Sequence, residues 1–234
     1  MNILKFFACA LALSATTSFA QSLPRPEPQN LLQLSASGQV EVAQDYLTLS
    51  LSTTREAADA ATVQSQLKSA LDAALTEAKK VAQPGQLEVR TGNFSLYPRY
   101  GKDGKITAWQ GNAELVLEGR DFARISTTAG KLTTLAVNNV AFSLSREQRN
   151  KVEGEAQAQA IERYKSKASD IAKSFGFAGY SLREISVSAN DQGFVGRPKV
   201  FALEARAAVA DAPVPVEAGK STVVVTVTGS VQMK

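Results

Sequence analysis

Two pairs of carboxylates come closest to a spacing that could do chemistry. Glu114 and Glu118 lie four residues apart in a segment that reads as a strand, so their side chains leave the same face, and Glu153 and Glu155 stand near each other on a helix. Two acids so placed could hydrolyse a glycosidic bond, one as proton donor and the other as base or nucleophile. No cleft of aromatic platforms is legible around either pair, and charged side chains ordinarily stay in water. Solvated surface acids are the plainer reading of both, and no catalytic residue is assigned. The chain has no histidine, which removes Ser-His-Asp triads, His-Glu-x-x-His zinc sites and imidazole acid–base catalysis together. It has one cysteine, Cys9, and no nucleophile elbow, phosphate loop or calcium loop. The expectation is a protein that is not an enzyme and holds no cofactor and no metal.

Aromatic residues and arginine offer a different possibility. Tyr97, Arg99, Tyr100 and Trp109 fall on the two arms of one hairpin close to its turn. Such residues anchor ligand and partner contacts. Stacking among them would equally stabilise the hairpin itself, and both readings stay open.

Residues 1–20 read as a cleavable secretory signal. Lys5 supplies the positive charge, Phe6 to Ala15 form a short apolar run, and Ser18-Phe19-Ala20 has the small-x-small pattern that precedes cleavage, here after Ala20. The alternative, a membrane anchor, needs roughly 20 apolar residues in a row. With Cys9 removed the remaining chain has no thiol, so disulfides and cysteine metal ligands are excluded and an ordinary apolar core must supply stability. The expected location is periplasmic or secreted. A net charge of +4 is spread along the chain without a basic run, so no nucleic-acid partner is expected. Attraction to an anionic membrane surface or polymer remains open.

Residues 21–30, with Pro24, Pro26 and Pro28, form a tether, and residues 31–234 an α+β domain. Strands are expected at 31–37 and 40–53 around Gly38, the second alternating Leu47, Leu49 and Leu51 with hydroxyl residues. Thr53 and Glu56 suggest a capping box for a helix whose apolar positions run from Val63 to Val81 and which ends at Pro84-Gly85. A hairpin of strands 86–98 and 106–118 turns at Gly101-Lys102-Asp103-Gly104. A second helix, 120–135, and a strand, 137–144, follow. Ser145 with Gln148 opens a third helix, which carries an apolar stripe from Val152 to Phe175 and stops at Gly176. Strands at 180–188 and 221–232 complete the chain.

The order from residue 40 to 145 is β-α-β-β-α-β, that of a split βαβ or ferredoxin-like unit, followed by a helix and strands. Three helices would pack on antiparallel or mixed sheets, with sub-lobes at 31–145 and 146–234. Whether the later elements extend the first sheet or form another is left open. The connection 190–219 carries apolar residues, among them Val200, Phe201, Leu203 and Val209. It reads either as a plain loop or as an arm that packs on another subunit or a membrane.

Four segments together resemble the SIMPL-domain family of exported bacterial envelope proteins. They are Leu34-Ser-Ala-Ser-Gly-Gln-Val-Glu-Val; Leu96-Tyr-Pro-Arg-Tyr leading to Trp109-Gln-Gly-Asn-Ala-Glu-Leu-Val-Leu; Val137-Asn-Asn-Val-Ala-Phe-Ser-Leu-Ser; and the helix and turn from Ala156 to Gly179. The helix departs from the family's alanine- and lysine-rich form at Ile161-Glu-Arg-Tyr-Lys-Ser-Lys. The resemblance implies a periplasmic or secreted protein without a settled activity, whose relatives are linked to oxidative and envelope stress and to immune recognition. It carries no catalytic residue across. The expected role is therefore contact: a homo-oligomer, or a protein that meets an envelope partner or membrane surface. The alternative is a periplasmic small-ligand binding protein with Arg99, Tyr100 and Trp109 at the mouth of a groove. An enzyme that uses neither histidine nor cysteine ranks third.

Overall fold

Leucine alternating with threonine and serine builds the central strand of the first sheet. The leucines of Leu47-Thr-Leu-Ser-Leu-Ser all point one way, and Leu47, Leu49 and Leu51 are fully buried. The computed structural model describes residues 29–190 and 213–234. The signal segment with Ala20 lies outside the described residues, as do most of the tether and the arm residues Val200, Phe201, Leu203 and Val209. In chain order the elements are β1 (Leu31–Ala43), β2 (Tyr46–Ala57), α1 (Ala60–Lys80), β3 (Glu88–Tyr100), β4 (Ile106–Gly119), α2 (Phe122–Lys131), β5 (Ala136–Ser143), α3 (Arg146–Ser174), β6 (Tyr180–Asn190) and β7 (Lys220–Met233).

These strands form a four-stranded sheet, β3-β4-β2-β5, and a three-stranded sheet, β1-β7-β6. Every pairing is antiparallel. The first sheet has the strand order of a split βαβ unit. Helices α1 and α2 cover its leucine face, where Leu49, Leu51, Leu115 and Leu117 meet Leu71, Ala74, Ile125 and Ala129. Each leucine so enclosed contributes roughly 1.5–3 kcal/mol relative to exposure. The later elements build the second sheet, and β1 joins them there. The sub-lobe boundary at residue 145 therefore shifts: β1 belongs with α3, β6 and β7, while residues 46–143 form the first layer.

Gly38 explains the difference. It does not break the first strand, which runs straight through it and turns only at Gln44-Asp45. A Cβ on Gly38 would lie 2.0 Å from the Ala156 carbonyl oxygen and 2.7 Å from the Ala160 nitrogen. The glycine thus lets the helix backbone lie directly on the strand, and Ala156, Ala160 and Ala168, all fully buried, keep the helix side equally thin.

The capping box expected at Thr53 and Glu56 is also absent. Both residues belong to β2, where Thr53 to Glu56 pair with Ala113 to Gln110. Ladder hydrogen bonds there outcompete a local cap. Asp59 caps α1 instead, its Oδ1 accepting from the Thr62 backbone N–H at 2.8 Å. Asp121 caps α2 in the same way, taking the Arg124 N–H at 2.9 Å and confining that helix to 122–131. Ser145 caps α3 as expected, accepting from Gln148 N at 3.2 Å. Gly104 supplies the positive φ of the β3–β4 turn, at 74°.

Candidate functional site

The hairpin register separates the aromatic cluster. Tyr97 lies opposite Gln110, Pro98 opposite Trp109, Arg99 opposite Ala108 and Tyr100 opposite Ile106. Directly opposed residues share a face and successive residues alternate. Trp109 therefore points to the helix side, where it packs with Leu96 against Val63 and Leu67. Tyr97 and Arg99 point to the other side. There the Arg99 guanidinium makes an ion pair with Glu56 at 3.0 Å. Tyr100 stands apart near the turn, 64% exposed. The structure brings Tyr97 and Arg99 together and sets Trp109 across the sheet from them.

The acids of the strand pair have structural partners. Glu118 is bound by Arg90 at 3.0 Å, and that hydrogen bond is the chief reason the Arg90 guanidinium holds its proton more tightly than usual. Glu114 accepts from the Asn93 backbone N–H at 3.1 Å, closing the irregular stretch of β3 between Thr91 and Phe94. Glu153 is half-buried and Glu155 exposed along α3.

A polar junction ties the two sheets together where β1 turns into β2. Asp45 accepts from the Ser145 backbone N–H and from its hydroxyl, each at 2.7 Å. Arg120 reaches the Asp45 carboxylate at 3.2 Å and Glu147 at 3.1 Å. It also donates to Ser145 Oγ at 2.6 Å. Partial burial alone would raise the Asp45 pKa, but the two Ser145 hydrogen bonds and the Arg120 charge outweigh it and hold the carboxyl below its ordinary range. The Ser145 hydroxyl thus gives its proton to a weak base and its lone pairs to two donors, which is the chemistry of a staple and not of a nucleophile. Gln44 adds a bond from Nε2 to Ser221 Oγ at 3.0 Å. The Gln44 backbone N–H donates to the Gly219 carbonyl, also at 3.0 Å.

The sheet edges differ in how they are finished. At β1, Arg163 and Lys167 of α3 donate to the carbonyls of Ser37 and Ser35, at 2.7 and 3.1 Å. Edge strand β3 carries bulges, Pro98 and ion-paired arginines. Edge strand β5 is short and interrupted by a register shift. All of these are ways in which proteins blunt an edge. In β6 the shift falls between Leu182 and Glu184, and from Ile185 to Asn190 the strand is regular, without charge and without proline.

Strand β6 also carries an apolar row that sequence reasoning missed. Leu182, Ile185, Val187 and Ala189 lie opposite Val231, Gly229, Val227 and Val225, on the face that α3 covers over β1 and β7. The helix does not reach far enough to cover β6. Leu182, Ile185 and Val187 stay 48%, 45% and 47% exposed, against 1% and 2% for Val225 and Val227. The signal was present as apolar residues at 182, 185, 187 and 189, but the extra residue at the bulge breaks their alternation.

Among the described residues no helix is long and apolar enough to cross a membrane. No curated protein matches the chain. The SIMPL family model, described as a protein of unknown function (DUF541), matches residues 32–231. That span runs from the start of β1 almost to the end of β7, and the chain belongs to the SIMPL family.

Proposed function

We propose that this protein is exported by its first 20 residues and acts outside the cytoplasm through contact, by associating with itself or with envelope partners, and not by catalysis. The observation that carries this reading is the row of Leu182, Ile185 and Val187, about half exposed on a sheet face that is buried one strand away. Exposed apolar surface of that kind marks a contact site. The committed Ser145 hydroxyl and the ion-paired Glu118 support a role without chemistry of their own. A link to envelope or oxidative stress follows the family resemblance. It would be indirect, because Met233 is the only sulfur-bearing residue beyond the signal segment.

Thermal unfolding of the chain from Gln21 onward tests the reading. A contact formed only by folded copies raises the melting temperature as protein concentration rises. The expected result is a rise of several degrees over a hundredfold range of concentration. A melting temperature independent of concentration contradicts self-association.

A further inference from the structure

We infer that two copies of the chain pair β6 to β6, antiparallel about a two-fold axis at Val187, and so join their three-stranded sheets into one continuous sheet. This rests on the self-association reading and names its surface. The outer side of β6 has no strand neighbour among the described residues, so a row of backbone donors and acceptors faces outward. Such a row is a template for another strand. The described edges of β1, β3 and β5 are each covered, bulged or charged, while among the described residues none of these devices falls on β6 from Ile185 to Asn190.

Symmetry then narrows the register. Two antiparallel strands related by a two-fold axis perpendicular to their sheet keep the same faces up, and directly opposed residues share a face. In a regular strand the axis must therefore pass midway between a residue and its own copy. With the axis at Val187, the valine meets its own copy, Ile185 meets Ala189 and Ser186 meets Ser188. Apolar residues oppose apolar ones on the helix-covered side, and hydroxyls oppose hydroxyls on the other. Glu184 falls opposite Asn190, so no like charges meet within the paired stretch. A second copy fits this edge because the strand is complementary to itself.

The chain makes a clean test available, because beyond Cys9 in the signal segment it has no cysteine. Opposed residues in an antiparallel pair have Cα atoms roughly 4.5–5.5 Å apart, inside the window for a disulfide. Val187→Cys in the chain from Gln21 onward, mildly oxidised at low concentration, should therefore give a covalent dimer. Asn150→Cys, on an exposed part of α3, should not. Val187→Lys, at a position already 47% exposed, should keep the circular dichroism spectrum of the fold and at least halve the mass in solution. If the unmodified chain associates but Val187→Cys forms no disulfide and Val187→Lys keeps its mass, the β6 pairing is wrong and self-association stands through another surface. If the unmodified chain is monomeric at every concentration, both ideas fall together.

Discussion

Ser145 gives both of its hydrogen-bond donors to one partner: its backbone nitrogen and its hydroxyl each lie 2.7 Å from an Asp45 carboxylate oxygen. One residue begins α3 of the second layer, and the other sits in the turn that carries the chain from the second sheet into the first. That carboxylate is thus one of the ties between the two halves of the molecule, and Arg120, just after β4, neutralises it.

Asp45→Ala should lower stability by about 1–2 kcal/mol at neutral pH. It leaves the partly buried Ser145 N–H without its partner, and the value is discounted because the carboxylate is partly in water. The dependence on pH follows from the depressed Asp45 pKa. A group held below its unfolded value, here 3.8, contributes fully above that value, and the contribution disappears as pH falls through the folded one. Urea midpoints of wild type and variant should differ at pH 7, and the gap should narrow as pH falls below 3.8 and through the lowered folded-state pKa. A gap that persists in acid would mean that the carboxylate charge is not what the junction uses.

Gly38→Ala should destabilise the fold by about 2 kcal/mol, because the added methyl meets the backbone of α3 and no side chain can rotate away. Gly154→Ala, on the same helix with nothing within 4 Å, should instead stabilise it by about 0.5–1 kcal/mol through helix propensity. Thermal melts of the two variants should move in opposite directions, and a Gly38→Ala melt that does not fall would contradict the close approach of helix and strand.

At the hairpin, Arg99→Ala should change stability by less than about 1 kcal/mol, since its ion pair with Glu56 is largely in water. Trp109→Ala should cost about 2 kcal/mol, less than the roughly 3–5 kcal/mol of a fully buried aromatic, because the indole is only partly enclosed. Chemical denaturation measures both. A small molecule that raises the melting temperature saturably, and fails to do so in Arg99→Ala, would revive the ligand-binding alternative.

Much of the fold was legible because its signals are local and periodic. The leucine alternation of β2, the α3 stripe from Val152 to Ala168, the Gly101 to Gly104 turn and the Ser145 cap each appear where their spacing requires, while Phe175, at the end of the expected stripe, caps the helix and is 71% exposed. The misses share a cause, which is that a distant partner decided the outcome. Gly38 looks like a turn until α3 is placed on it. Thr53 and Glu56 look like a cap until β4 pairs with them. Trp109 looks like a neighbour of Arg99 until the hairpin register sets it opposite Pro98, on the other face. The β6 row escaped notice because exposure depends on how far α3 reaches across its sheet, which no window of sequence records.

The central claim is that the exposed β6 row holds copies of this protein together. The most direct measurement is the absolute mass in solution, by light scattering behind a sizing column, of the chain from Gln21 onward beside its Val187→Lys variant. A wild-type mass that is a multiple of the chain mass, falling at least twofold in the variant, is the predicted result. A wild-type mass equal to that of one chain across the accessible concentration range would contradict it.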